Sequence, residues 1–308
     1  MRKNGILVVG SANMDLVASV QSFPRPGETV FGTAFAMYPG GKGANQAVCC
    51  AKLGADVQFV GRIGLDALGE KLIANLSREG VSLRYGFRDR RIHAGIALIT
   101  VDACGQNEII VVSGSNIKLT SSDIERRRDV FRSVRTVLLQ LETPMATVLR
   151  AAQLARAAGC TVVLNPAPAR KLPKSLLRLV DIITPNETEA EALTGIRVRD
   201  ARSAEQAART LSRSGVEAVV VTLGGRGCVL FHENHARHIP AVKVRAVDTT
   251  AAGDAFNGGL AVALAGGKSL EQSVRYAAAV AAFSVTRRGA QSSMPTHRQA
   301  AHLLSRKQ

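Results

Sequence analysis

Tryptophan is missing from this chain and tyrosine occurs three times, so aromatics make up 4% of 308 residues. So few flat side chains leave little for exposed bases to stack on, which argues against a single-strand nucleic-acid binder. The five cysteines (Cys49, Cys50, Cys104, Cys160, Cys228) are odd in number and show no CxxC spacing. That pattern speaks against a disulfide framework and a zinc knuckle, and for buried thiols in a reduced, cytoplasmic setting. No run reaches the ~18 continuous apolar residues of a membrane helix. The opening MRKNGILVVG has too short an apolar stretch for a signal-peptide core of about 7–15 residues, and reads as a first buried strand. Repeats and low-complexity linkers are also lacking, and 1–308 is expected to be a single α/β domain.

Acidic residues are in deficit. There are 24 Asp+Glu against 40 Lys+Arg, a formal charge of +16. Such an excess can mark a nucleic-acid partner, a solvated basic surface, or attraction of a polyanionic small molecule. The basic residues are scattered, with short clusters only at 125–128 and 287–288, and no helix-turn-helix or finger signature accompanies them. Specific nucleic-acid binding and membrane association are therefore not expected.

What is present is an alternation of strand-like and helix-like segments. Apolar runs at 6–10, 57–60, 136–141, 161–164, 181–184 and 218–223 read as strands. Segments 43–53, 66–78, 144–158, 187–193, 204–214, 252–264 and 269–284 carry helical spacing or alanine-rich composition. This predicts a doubly wound, mostly parallel sheet with helices on both faces. Two inserts, 16–38 and 92–112, break the rhythm with strands and no helical period. Within the second, 95–101 and 108–112 flank a turn-rich stretch and read as a hairpin. Together the inserts are expected to form a small β-sheet lid beside the main body.

The richest segment is DTTAAGDAFNGG at 248–259, reached through Val242, Val244 and Val247. Small residues Ala251, Ala252 and Gly253 leave backbone N–H groups bare at a helix start, a ready anion site. Asp254 follows in the first helical turn. It is either a carboxylate placed to take a hydroxyl proton beside that anion, or an acid that merely favours the helix N-terminus. The stretch GGKGANQA at 40–47 lacks the Walker spacing. It offers close backbone approach and the donors Lys42 and Asn45, or is simply a glycine-rich turn. Asn13 and Asp15 follow the first strand, Glu142 the strand at 136–141, and Asn186 and Glu189 the strand at 181–184. The run Thr222-Leu223-Gly224-Gly225-Arg226-Gly227 follows another. Ligands in open α/β sheets bind outside the carboxyl ends of strands, where all these stations fall.

Taken together these segments resemble the ribokinase family of carbohydrate kinases over almost the whole chain. The resemblance rests on GSANMD at 10–15, PRPGETV at 24–30, GGKGANQAV at 40–48, QLETP at 140–144, LNPAPAR at 164–170, DIITPNETEAEALTGI at 181–196, VTLGGRG at 221–227, VDTTAAGDAFNGG at 247–259 and VTRRGAQSSMP at 285–295. It implies ATP-dependent phosphorylation of D-ribose at O5 to ribose 5-phosphate, with deoxyribose, other furanoses or nucleosides as alternative acceptors. Asp254 would be the base, with an anion hole at Ala251, Ala252 and Gly253. Asn13, Met14, Asp15, Gly41, Lys42, Gly43, Ala44, Asn45, Glu142 and Asp254 would hold the sugar. Asn186, the 222–227 run, Gly253 and Asp254 would bind the nucleotide, with Glu189 near magnesium through water. The resemblance also implies a monovalent cation, usually potassium, at Asp248, Thr250, Ser284, Arg287, Gly289 and Ser293, and a homodimer through the lid sheet. Ala278 stands where a polar side chain near the nucleotide is expected.

Overall fold

Residues Ile6-Leu7-Val8-Val9 form the first strand, β1 (Ile6–Val9), and all four are fully buried. Alternate side chains of a strand point to opposite faces, so a strand buried on both must be apolar throughout. Ile6 and Val8 join one apolar layer, Leu7 and Val9 the other. The computed structural model describes residues 4–305, and the basic Arg2-Lys3 opening lies outside them.

After β1 come β2 (Asn13–Val20), β3 (Gly32–Gly40), α1 (Lys42–Lys52), β4 (Val57–Val60), β5 (Arg62–Gly64), α2 (Ala67–Arg78) and β6 (Phe87–Asp89). Then follow β7 (Gly95–Val101), β8 (Asn107–Val112), α3 (Ser121–Arg126), β9 (Thr136–Leu139), α4 (Met145–Ala157), β10 (Thr161–Leu164), α5 (Lys174–Leu177) and β11 (Ile182–Ile183). The last third holds α6 (Glu187–Thr194), α7 (Ala201–Arg213), β12 (Ala218–Thr222), β13 (Cys228–His232), β14 (His235–Ile239), α8 (Ala252–Ala265), α9 (Leu270–Ser284) and α10 (His297–Ser305).

The main sheet runs β14-β13-β12-β11-β10-β9-β1-β4. Pairing is parallel from β4 across to β12, and antiparallel for β13 and β14. One face is covered by α3, α4, α6 and α7, the other by α1, α2, α8 and α9. Asp66 caps α2 by accepting from the Gly69 N–H, and reciprocal capping boxes open α3, α6, α7 and α9. The glycine pair inside α8 serves close packing. A Cβ at Gly258 would meet Cys49 of α1 at 2.6 Å, and one at Gly259 would meet Val280 of α9 at 2.9 Å.

A separate four-stranded sheet has the order β3-β2-β7-β8, with β2 and β7 parallel and both outer pairs antiparallel. It grows out of the main body where β1 gives way to β2. Three features depart from the sequence reading. The β13–β14 hairpin was not expected, and it turns at Glu233 and Asn234, both with positive φ. A tenth helix, α10, follows the two alanine-rich ones and packs on α9. The valines at 242, 244 and 247 form no strand. That segment runs irregularly, pairs with no strand, and leaves Val247 exposed.

Candidate active site

The carboxyl ends of β1, β9, β10, β11 and β12 open on one cleft of about 320 Å³, roofed by the small sheet. Asn13 and Asp15 reach it from β2, Lys42 and Asn45 from α1, and Glu142 from the turn after β9. Asn165, Asn186, Glu189 and Thr222 line the far side, and residues 249–254 close it. Ala97, Ile99, Ile109 and Val111 contribute the apolar roof. The cleft therefore joins most of the strand-end stations.

Asp254 is buried in the first turn of α8. Its Oδ2 accepts from Asn45 Nδ2 at 2.9 Å and its Oδ1 from Gln46 Nε2 at 3.0 Å. Burial pushes its carboxyl above the usual carboxylate range, against the pull of Lys42 and these two amides. A raised pKa suits a carboxylate that must take and release a proton near neutrality. The helix opens on Ala251, which adopts left-handed φ 57° and provides no side-chain cap. Ala252 N–H turns back to the Thr249 carbonyl at 3.2 Å. The N–H groups of Gly253 and Asp254 have no carbonyl one turn earlier in the helix, which leaves donors for an anion.

Glu142 organises the opposite wall. It accepts from the Lys42 N–H at 3.0 Å and from the Ser11 hydroxyl. Burial first, and the nearby Glu142 and Asp254 charges second, push Asp15 up to about 7. Burial would lower the Lys42 ammonium, yet Asp254, Glu142, Glu189 and Asp15 together hold it above its ordinary value. Gly41 takes φ 86°, and a Cβ there would meet the Asn13 N–H nitrogen at 2.6 Å, so the turn into α1 requires glycine. Asn13 is held by Asn116, whose Nδ2 donates to Asn13 Oδ1 at 2.7 Å.

Several expected site residues stand elsewhere. Met14 alternates with Asn13 and Asp15 on β2, so its side chain enters the apolar core. Gly43 and Ala44 are buried in α1 beneath the cleft floor, and Leu223 is in the core. Gly224, Gly225, Arg226 and Gly227 form the turn after β12, outside the cleft lining. Arg226 there pairs with Glu187 at 2.8 Å and donates to the Arg199 carbonyl. Ala278 is half-buried on α9 against apolar neighbours. The basic cluster at 125–128 is partly paired. Arg126 pairs with Asp123, Arg128 and Arg150 with Glu125, and Arg127 lies over the Phe87 ring.

Of the residues set aside for a monovalent cation, Asp248, Thr250 and Gly289 meet directly. Asp248 accepts from Thr250 N–H at 2.9 Å and from Gly289 N–H at 2.8 Å, tying 248–250 to the segment after α9. Burial opposes its charge, but these bonds and Arg288 hold its pKa below the ordinary value, so it is ionised. Ser284 and Ser293 are fully buried, and their hydroxyls donate to the Ala281 and Ala290 carbonyls. The Arg287 guanidinium instead lies 4.7 Å from the centroid of the Phe283 ring. An ionised carboxylate on this loop is an oxygen ligand of the kind hard cations take. For magnesium the candidate is Glu189, a buried carboxylate whose oxygens accept from the Asn186 N–H and Nδ2. No group of three His, Cys, Asp or Glu that could hold a metal occurs among the described residues. A single carboxylate fits magnesium that keeps its waters and arrives on phosphates.

Gln46, Asn165, Gln140, Gln291 and Asn257 were not singled out from the sequence. Gln46 donates to both Asp254 and Asn165 Oδ1, the latter at 3.1 Å. Its signal was available, since 42, 45, 46 and 49 share a helical face on an otherwise alanine-rich segment. A larger groove of about 1300 Å³ lies between 242–247 and α10, but shares no lining residue with the cleft and no carboxylate lines it.

Known proteins agree with this geometry. The family model described as pfkB family carbohydrate kinase matches residues 3–297. The chain is 44% identical to a ribokinase of Haemophilus influenzae over 304 residues, 99% of each protein. It is 38% identical to a deoxyribokinase of Salmonella typhimurium over 301 residues, 97% of this chain and 98% of that one. The structure of Arabidopsis thaliana ribokinase complexed with ribose and ATP superposes with a TM-score of 0.91 at 37% identity, covering 99% of both chains. On its sequence, its sheet order and its cleft, the chain belongs to the pfkB family of carbohydrate kinases.

Proposed function

We propose that this protein transfers the γ-phosphoryl group of ATP to O5 of D-ribose, giving ribose 5-phosphate and ADP. The observation that carries the reading is Asp254, buried at the uncapped start of α8 and opening on a cleft lined by Asn13, Asp15, Lys42, Asn45 and Glu142. The relatives named ribokinase, one of them bound to ribose and ATP, support the choice of substrates. Asp254 takes the O5 proton as O5 attacks the γ-phosphorus, and ADP leaves. The N–H groups of Gly253 and Asp254 receive the charge that builds on the transferring phosphoryl oxygens. Asp15 and Asn13 orient the sugar hydroxyls, with Lys42, Asn45 and Glu142 beside them. Asn186 and Thr222 border the nucleotide side. Bound magnesium would neutralise phosphate charge, with Glu189 holding its waters. A monovalent cation would be held by backbone carbonyls around Asp248, Thr250, Ser284, Arg287, Gly289 and Ser293.

The small sheet acts as the lid over the sugar in this reading, within one domain spanning the chain. Its strands also leave Phe35 65% and Ile110 64% exposed. A homodimer formed through this sheet would cover such apolar surface, which monomers seldom leave open. No helix among the described residues is long and apolar enough to cross a membrane, and the cytoplasm is the proposed site of action.

A second acceptor, 2-deoxyribose, is favoured by the 38% identity to a deoxyribokinase. Scoring ribose, 2-deoxyribose, other pentoses and nucleosides for ADP release with ATP tests both. Ribose giving the highest kcat/KM supports the proposal, and a nucleoside preference removes it.

A further inference from the structure

Each oxygen of the Asp254 carboxylate ends a chain of buried side-chain amides. On one side Gln140 Nε2 donates to Gln46 Oε1 at 2.6 Å, and Gln46 Nε2 donates to Asp254 Oδ1. On the other side the chain is longer. Arg78 Nη2 donates to Asn75 Oδ1 at 2.5 Å, and Asn75 Nδ2 to Gln291 Oε1 at 2.6 Å. Gln291 Nε2 donates to Asn45 Oδ1 at 3.1 Å, and Asn45 Nδ2 to Asp254 Oδ2 at 2.9 Å. Asn75, Gln291, Asn45 and Asp254 are each at most 6% exposed, whereas the Arg78 side chain is 71% exposed. A polar path thus leads from a surface cation on α2 through three amides to the carboxylate.

The path has one direction, and chemistry enforces it. An ionised carboxylate only accepts, so Asn45 must turn its NH₂ toward Asp254. Its carbonyl then faces Gln291, which must present NH₂, and the same holds for Asn75. At the far end the guanidinium only donates, so it must meet the Asn75 carbonyl. Acceptor at one end and donor at the other select the same orientation of all three amides. Aligned bonds of this kind polarise one another. Gln291 occupies the middle, and its backbone is held from a third side by Lys52 Nζ, which donates to the Gln291 main-chain carbonyl at 2.7 Å and pairs with Glu79 at 3.5 Å.

We propose that Gln291 is a positioning residue for Asp254, setting the direction of the Asn45 amide so that an N–H always faces Asp254 Oδ2. It touches neither the carboxylate nor the cleft contents. This rests on the reading of Asp254 as base only for its effect on turnover; the orienting role stands on the geometry. The charged and titratable groups that face Asp254 are Lys42 and Cys49 of α1, Glu142 after β9, Asp15 of β2 and Glu189 of α6. None of them is altered by changes at 291 or 75.

Two variants test the relay in the intact chain. Gln291→Met keeps bulk and removes both bonds. Asn75→Asp is isosteric and acceptor-only, with Arg78 beside it to offset the added charge. It forces Gln291 to turn its NH₂ away from Asn45, and Asn45 then presents its carbonyl to Asp254. The readout is carboxyl ¹³C NMR of aspartate-labelled protein, with the Asp254 signal identified by its loss in Asp254→Asn. Both variants should raise the Asp254 titration midpoint by about 0.5–1 pH unit, the worth of one ordinary hydrogen bond. The acid limb of kcat should move up by the same amount, a fall of about three- to ten-fold at pH values below the midpoint, while KM for ATP holds. Midpoints unmoved in both folded variants overturn the relay. A midpoint that moves in a protein with no sugar-dependent ADP release keeps the relay and removes the kinase reading.

Discussion

Replacing Asp15 by Asn should make the protein more stable and less useful, by an amount that depends on pH. The folded-state pKa of Asp15 is pushed from 3.8 up to about 7, chiefly by burial and then by Glu142 and Asp254. A carboxyl with a raised pKa binds its proton more tightly when folded. Its ionisation therefore costs stability as pH rises from the unfolded value to the folded one, and the full cost is present above pH 7. Below the unfolded value the cost is absent. Relative to an amide that cannot ionise, the penalty is about 2 kcal/mol at pH 5 and about 4 kcal/mol above pH 8. At roughly 2 °C per kcal/mol for a chain of this size, Asp15→Asn should melt about 4 °C higher at pH 5 and about 8 °C higher at pH 8. Scanning calorimetry of parent and variant across that range measures the difference. Ribose should raise the melting point of the parent and do little for the variant, if the lost carboxylate is the acceptor proposed for the sugar hydroxyls. A stability difference that is flat with pH, or a variant that melts lower, refutes the account of why Asp15 is strained.

Asp254→Asn should keep the fold and ATP binding and lose about 10²–10⁴-fold in kcat, measured on protein free of parental enzyme. Asp15→Ala should raise the ribose KM roughly ten- to hundred-fold and the ATP KM little, since a hydrogen bond to a charged group is worth about 1.5–3 kcal/mol; equal losses for both substrates would speak for misfolding. Turnover should rise when potassium replaces a bulky organic cation at constant ionic strength, and identical rates would remove the cation from the 248–250 loop. Duplex DNA binding should be weak, independent of sequence and lost near physiological salt in a two-salt titration, because the basic surface is scattered and partly paired. Tight binding to one sequence at that salt would point to a regulator instead.

The stations of the cleft were legible because they lie at strand ends, and strand ends are marked locally by apolar runs stopping at polar or glycine-rich turns. Asp15 after β1 is of this kind, whereas Asp254 was legible from the small residues at its helix start, with no strand before it. Gln46 was not legible as a partner of Asp254, since 208 residues separate them and only packing of α1 on α8 brings them together. The same holds for Gln291 and Asn45, 246 residues apart. Met14 was carried along with its neighbours in GSANMD, although strand alternation turns it into the core. The β13–β14 hairpin hid behind a Glu-Asn turn, where both residues must take left-handed φ without glycine to announce it. Segment 242–247 carries β-branched residues, yet it pairs with no strand.

The central claim is that this cleft phosphorylates ribose at O5 with Asp254 as base. Incubating the protein with magnesium, ATP and ¹³C-labelled ribose, and following ³¹P and ¹³C spectra together, tests it most directly. The account predicts a phosphomonoester signal coupled to C5, formed in step with ADP and absent with Asp254→Asn. ADP formed at the same rate without sugar, or phosphate appearing on any carbon other than C5, would contradict it.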